Sequence, residues 1–229
     1  MADYKKPDYW QLRARKEGYP ARSVYKLKEM DEKFPLIKPA RANPPERADG
    51  QANPPPRVLD LGAAPGSWSL YILRKMPGVF LVSADLSPLS RQYDGGLFSG
   101  SNFCFVQGDI TDPAVRDSLL AQGPYNLIVS DAAPATTGNR LIDTSRSLEL
   151  AEAVLAYAEN ALVGSNGKLV FKLFQGGDTA DVLKRMRTLF TTAKTYKPGA
   201  CRSESFETYC LGLVPGTKFP HLKEAKGER

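Results

Sequence analysis

Histidine is almost absent from this chain. The one copy, His221, stands in a polar tail, which argues against a Ser-His-Asp triad, a Cys-His pair and a multi-histidine metal site alike. Cysteine is scarce too. Cys104, Cys201 and Cys210 are odd in number and far apart, with no C-x-x-C pair, so neither a disulfide framework nor a zinc site is supported and no metal is expected. No apolar run is long enough to span a bilayer, and Met1-Ala2-Asp3-Tyr4-Lys5-Lys6-Pro7 lacks the apolar segment of a signal peptide. The cytoplasm is therefore the expected location, with no membrane partner. The dinucleotide fingerprint G-x-G-x-x-G is missing as well, because Gly62-Ala63-Ala64-Pro65-Gly66 has the wrong spacing and a rigid proline. Chemistry must then rest on lysine, carboxylates or a cofactor.

What is present begins with Pro56-Arg57-Val58-Leu59-Asp60-Leu61, an apolar strand that runs into the small-residue turn at 62–66 and a helix-compatible segment at 67–75. A glycine-rich strand-to-helix turn admits a ligand close to the backbone. Asp85 lies 23 residues beyond Gly62, at the end of the next apolar run, where a carboxylate can accept both hydroxyls of a ribose. A nucleoside pocket without a pyrophosphate to cradle points to S-adenosylmethionine rather than NAD.

At 229 residues, with 42% hydrophobic and 24% charged content, the chain is expected to form one soluble domain. Nothing in it demands a dimer. The net charge of +6 is unevenly placed: residues 1–28 carry eight Lys or Arg against three acids, interleaved with Tyr4, Tyr9, Trp10, Tyr19 and Tyr25, and residues 184–202 carry six and none. Cations beside aromatics suit a phosphate backbone and stacked bases, so RNA is the expected partner over a merely solvated basic face.

Residues 22–33 read as a helix with Val24, Leu27 and Met30 on one stripe. Residues 39–57, broken by six prolines, read as an extended surface loop. Beyond it, strands are predicted at 57–61, 79–84, 102–106, 125–130, 168–174, 192–196 and 208–214. Helices are predicted at 67–75, 113–121, 146–162 and 179–190, and residues 215–229 form a polar tail. This alternation gives an α/β fold with a mostly parallel sheet covered on both faces, whose ligands bind at the carboxyl ends of the strands.

Asp85, Asp109 and Asp131 fall at three such ends. Any one of them could be an ordinary turn or cap, but three beside the glycine turn suggest cofactor contacts, with Asp109 placed to accept from an adenine amino group. Lys172 is the most unusual residue, since it interrupts Leu169-Val170-Phe171-Lys172-Leu173-Phe174, a run expected to be covered on both faces. Burial disfavours the charged form of an amine, which can make a lysine a base near neutral pH; the plainer alternative is a lysine that reaches solvent at the strand end. Lys26 lies at the edge of its helix's apolar stripe. Glu207 opens the last strand, and if that strand runs antiparallel, its start lies at the same sheet edge as Asp131 and Lys172.

With these residues in hand, the chain resembles the FtsJ/RrmJ family of RNA ribose 2′-O-methyltransferases. The resemblance is carried by Ser23-Val24-Tyr25-Lys26-Leu27, Asp60-Leu61-Gly62-Ala63-Ala64-Pro65-Gly66 with Trp68, and Ser130-Asp131-Ala132-Ala133-Pro134. It continues through Lys172-Leu173-Phe174-Gln175-Gly176, Lys197-Pro198, Arg202-Ser203 and Glu207-Thr208-Tyr209. It implies a Rossmann-like, S-adenosylmethionine-dependent domain whose seven-stranded sheet ends in an antiparallel strand. It further implies a catalytic Lys-Asp-Lys-Glu tetrad at Lys26, Asp131, Lys172 and Glu207, and cofactor contacts at Gly66, Trp68, Asp85, Asp109 and Asp131. The substrate it implies is a uridine of large-subunit ribosomal RNA. The alternatives are a tRNA or cap ribose and a non-catalytic RNA-binding assembly factor. Residues 39–57 look longer than in the family.

Overall fold

Short apolar runs separated by helix signals become the strands of a single sheet. The computed structural model describes residues 8–37, 54–163, 166–176 and 179–215. Most of the proline-rich segment, Lys5 and Lys6, and nearly all of the polar tail lie outside the described residues.

The elements follow in the order α1 (Tyr9–Lys16), α2 (Val24–Lys33), β1 (Arg57–Leu61), α3 (Ser67–Lys75), β2 (Phe80–Asp85), β3 (Phe103–Gln107), α4 (Pro113–Ala121), β4 (Leu127–Ser130), α5 (Arg140–Ala161), β5 (Lys168–Phe174), α6 (Thr179–Leu189), β6 (Phe190–Tyr196) and β7 (Glu207–Pro215), with a 3₁₀ turn at Leu97–Ser99. The sheet order is β3-β2-β1-β4-β5-β7-β6. Strands β1 to β5 pair in parallel, and β7 lies antiparallel between β5 and β6. The chain reverses its winding between β1 and β4, so a crevice opens over their carboxyl ends.

Two cores sandwich the sheet. On one face Val24, Leu27 and Met30 of α2 and Trp68, Leu70 and Ile72 of α3 pack with Val129, Val170 and Tyr209. On the other, Leu119, Val154, Leu155, Val182 and Met186 of α4, α5 and α6 pack with Leu59, Ile128, Leu169 and Phe171. Central strands buried on both faces explain the near-continuous apolar runs. The start signal at Asp112-Pro113 is realised, with the Asp112 carboxylate accepting from Ala114 N at 2.8 Å and Val115 N at 3.2 Å.

The structure corrects several expectations. Helix α1 falls outside the helices that the apolar pattern predicts, because only Ala14 of its eight residues is buried and no apolar stripe forms. Its legible signal was the capping box, in which Asp8 and Gln11 each accept from the other's backbone N–H. Helix α5 starts at Arg140 rather than 146 because Asn139 caps Leu141 N and Ile142 N, leaving Leu141 exposed. Helix α2 starts at Val24, two residues late. Strand β6 begins at Phe190, directly on the end of α6, and β4 begins at Leu127. The basic stretch 184–202 is not one patch. Arg185 is held by Glu159 at 2.9 Å, and α6 packs on the sheet face opposite α2.

Candidate active site

Gly62 sets the crevice. It follows β1 with a φ of 73°, and a Cβ there would stand 2.5 Å from Ala132 Cα, so only glycine lets this turn pass the chain leaving β4. Beside it opens a cleft of about 290 Å³ lined by Gly62, Ala64, Asp85, Asp109, Asp131 and the apolar side chains of Leu86, Ile110 and Leu150, among others. Asp85 Oδ2 accepts from Ala64 N and Oδ1 from Ser87 N, both at 2.8 Å. The carboxylate thus ties the glycine turn to the end of β2, and each oxygen keeps a lone pair for a ribose hydroxyl. Asp109 Oδ1 accepts from Thr111 N at 2.8 Å and Thr111 Oγ1 at 2.7 Å. Those bonds hold its carboxyl below the ordinary value.

Two of the expected cofactor residues do not line this cleft. Gly66, with a φ of 105°, passes closely under Phe98, which lies 2.8 Å from where its Cβ would be. Trp68 is buried, and its indole N–H donates to Ser23 O at 2.8 Å. Ser67 Oγ accepts from Ala21 N at 2.8 Å. The first turn of α3 therefore pins the start of α2, and that turn of α2 carries Lys26.

Lys26 Nζ lies 2.9 Å from both carboxylate oxygens of Glu207, with the two side chains only 12% and 11% exposed. Lys172 Nζ lies 2.8 Å from Asp131 Oδ1 and donates to Asp131 O at 2.6 Å. The register pairs Lys172 with Tyr209 and Phe174 with Glu207, and paired residues of an antiparallel ladder share a face. Tyr209 Oη accordingly donates to Asp131 Oδ1 at 2.5 Å, and the Lys26 ammonium lies 5.8 Å from the Tyr209 ring centroid. All four residues of the expected tetrad thus meet at one sheet edge. Tyr209 is a fifth member; the antiparallel register would have placed it beside Lys172.

The charges support one another. Burial pushes the Asp131 carboxyl up, but Lys172, then Lys26, and the hydrogen bonds from Lys172 and Tyr209 outweigh it and hold it below the ordinary range. Burial pulls the Lys26 amine down, and Asp131 and Glu207 more than restore it, so its pKa ends raised. Burial, with Glu207 alongside, pushes the Cys201 thiol up to about 12, so Cys201 stands by the tetrad as a protonated thiol. A second cavity, of about 490 Å³, opens over Lys26 and Glu207. Arg22, Arg140, Arg202 and Phe206 are also among its lining, and none of these was singled out in the sequence as a site residue. Asp131 lines the first cleft and Lys26 and Glu207 the second, while Lys172, 8% exposed, lies behind Asp131 and lines neither.

Beneath the glycine turn, Asp60 is fully buried. Ser69 Oγ donates to its Oδ2 at 2.6 Å, while its Oδ1 has no partner among the described residues. An unsatisfied acceptor, a backbone cradle that a Cβ would fill, an apolar slot and two carboxylates suit a nucleoside carrying a cationic amino acid. Among the described residues no His/Cys/Asp/Glu group could hold a metal ion, and no helix is long and apolar enough to cross a membrane.

Comparison with known proteins agrees. The profile of the FtsJ-like methyltransferase family matches residues 19–214. A protein of Treponema denticola named ribosomal RNA large subunit methyltransferase E is 47% identical over 212 residues, covering 92% of this chain and 96% of that protein. One of the same name from Oleidesulfovibrio alaskensis is 40% identical over 225 residues, covering 96% and 97%. A solved Plasmodium falciparum structure described as a ribosomal RNA methyltransferase superposes with a TM-score of 0.66 at 23% identity, covering 86% of this chain and 98% of that one, which supports the fold. With a profile match across most of its length and relatives of this identity, the chain belongs to the FtsJ-like methyltransferase family, a Rossmann-like fold that uses S-adenosylmethionine.

Proposed function

We propose that this protein methylates a ribose 2′-hydroxyl of large-subunit ribosomal RNA. The observation that carries the reading is the buried charge quartet between two clefts: Lys172 paired with Asp131 at 2.8 Å and Lys26 with Glu207 at 2.9 Å. Binding alone needs no lysine in an apolar strand. The relatives' name supplies the RNA.

S-adenosylmethionine, when bound, supplies an electrophilic methyl group. Asp85 and Asp109 would hold the nucleoside part, with Leu86, Ile110 and Leu150 walling the adenine. Displacement needs the attacking oxygen in line behind the methyl, and holding that geometry is a large share of the acceleration. A ribose hydroxyl is a poor nucleophile, so its proton must be received and the developing negative charge steadied. Two of the Lys172 N–H groups face Asp131, which leaves the third position of the amine for the hydroxyl. As a free amine, Lys172 takes the proton; as an ammonium, it donates to the oxygen and fixes its lone pair. Asp131 fixes Lys172 through the ion pair and the bond to its own backbone carbonyl, and Lys26 with Glu207 holds the ribose.

Purified protein incubated with methyl-labelled S-adenosylmethionine and undermethylated large ribosomal subunits is expected to place label on one 2′-O-methylated nucleotide. Lys172→Ala is expected to abolish transfer while leaving cofactor affinity within a few-fold. Label on a base, or near-normal turnover in that variant, refutes the reading.

A further inference from the structure

The second cavity holds an aromatic side chain that the tetrad does not use. Phe206 immediately precedes Glu207 and lines the same cavity as Lys26. Its backbone carbonyl accepts from Gln175 N at 2.8 Å, and its ring is braced edge to face on Phe174, with centroids 4.7 Å apart at 62°. The guanidinium of Arg140 lies 5.4 Å from the ring centroid, and among the described residues its one hydrogen bond is a 3.5 Å contact to Gln175 O. Arg140 is exposed and is the first residue of α5, the end of a helix where a cation is disfavoured by the backbone dipole. Neither helix stability nor core packing accounts for an arginine there.

We propose that Phe206 is a stacking platform for the base of the nucleotide being methylated: the exposed Arg140 guanidinium, which rests 5.4 Å from the ring centroid, swings off the ring as the base arrives and then covers the base's other face. Unpaired bases stack on aromatic faces and on arginine planes. The platform adjoins Glu207, so a base on Phe206 keeps its ribose over the tetrad. Arg202 lines the same cavity, as does Arg22, whose guanidinium is held by Asp8 and by Ala200 O at 2.6 Å; Arg202 places positive charge where a phosphate would flank that ribose. The target must then enter unpaired, since a base inside a duplex cannot reach the platform. This inference rests on the ribose-methyltransferase reading, and its test separates the two.

The probe is a short single-stranded oligoribonucleotide carrying 5-iodouridine, irradiated with the full-length protein; photo-adducts form with a ring in stacking contact. The expected adduct is on Phe206 in the wild type, lost in Phe206→Leu and regained in Phe206→Trp. In parallel, Phe206→Leu is expected to lower kcat/KM on undermethylated large subunits by roughly 10- to 100-fold, with Phe206→Trp near wild type. Cofactor affinity and melting temperature should hold in both, because leucine keeps the apolar contact with Phe174. An adduct at other residues only, or wild-type kcat/KM in Phe206→Leu, overturns the platform and leaves the catalytic reading standing. An adduct on Phe206 without ribose methylation by the wild type upholds the platform and sinks the catalytic reading.

Discussion

Removing the Lys26 ammonium tests whether the tetrad is as dry as its geometry says. In Lys26→Met the stem's bulk stays, but Glu207 loses the cation held 2.9 Å from both its oxygens, and Asp131 loses the second of the two lysines that hold its carboxyl down. With both side chains of the pair near one-tenth exposed, breaking it from one side should cost about 3–5 kcal/mol. In a chain of this size that corresponds to a fall in Tm of roughly 6–20 °C. Glu207→Gln should cost less, because Asp131 still faces Lys26. The double variant Lys26→Met with Glu207→Gln leaves no unmatched charge, so its stability should return to within about 2 kcal/mol of wild type while methyl transfer stays lost. The sign at each end of the pH scale follows from the two directions. Asp131 lies below its ordinary 3.8, so its contribution is present above that value and lost as pH falls through the lower, folded one. Lys26 lies above its ordinary 10.5, so its contribution is present below that value and lost as pH rises through the higher, folded one. Circular-dichroism melts at neutral pH therefore read both intact. A melt of Lys26→Met within 2 °C of wild type would mean water already screens the pair. A double variant as unstable as the single would mean the loss comes from packing rather than from a stranded charge.

Tyr209→Phe removes the hydroxyl that donates to Asp131 at 2.5 Å, a bond to a charged acceptor worth about 1.5–3 kcal/mol; both Tm and kcat should fall, and unchanged values for both would show the hydroxyl to be idle. Gly62→Ala forces a Cβ to within 2.5 Å of Ala132 in a left-handed conformation, so cofactor affinity measured by calorimetry should collapse, and wild-type affinity would refute the close passage of the two loops. Burial raises the Asp60 carboxyl from 3.8 to about 7 against the opposing bond from Ser69. The folded state therefore holds this proton more tightly than the unfolded one, and stability declines as pH rises between those values, by on the order of 4 kcal/mol in total. Asp60→Asn should flatten that slope in urea titrations at pH 5 and pH 8, and an unchanged slope would place its origin elsewhere.

The sequence by itself determined a mostly parallel α/β sheet covered by helices; the strand order and the reversal of winding belong to the tertiary structure. The apolar runs of β1, β2, β4 and β5, each too short and too continuous for an amphipathic helix, could be buried on both faces only as strands separated by helices, while the edge strands β3 and β6 stay mostly half-buried or exposed. The turn at Gly62 and the carboxylates at the ends of β2, β3 and β4 followed from where such a sheet places a ligand. Lys172 stood out because an ionisable amine in an apolar run needs a partner. Periodicity could not see α1, which buries one residue, nor the early start of α5, where Leu141 is left exposed. In both, a capping side chain decides the boundary rather than an apolar stripe. The partners themselves belong to tertiary structure. Lys26 and Glu207 stand 181 residues apart, and only the pinning of α2 by Ser67 and Trp68 brings them together. Tyr209 became a partner of Asp131 through the antiparallel register of β7 on β5. Trp68, expected at the cofactor, points into the core because its indole serves that pin. Composition and pattern fix what must be buried; which buried charges face one another depends on how separate elements cross, and no local sequence signal encodes that.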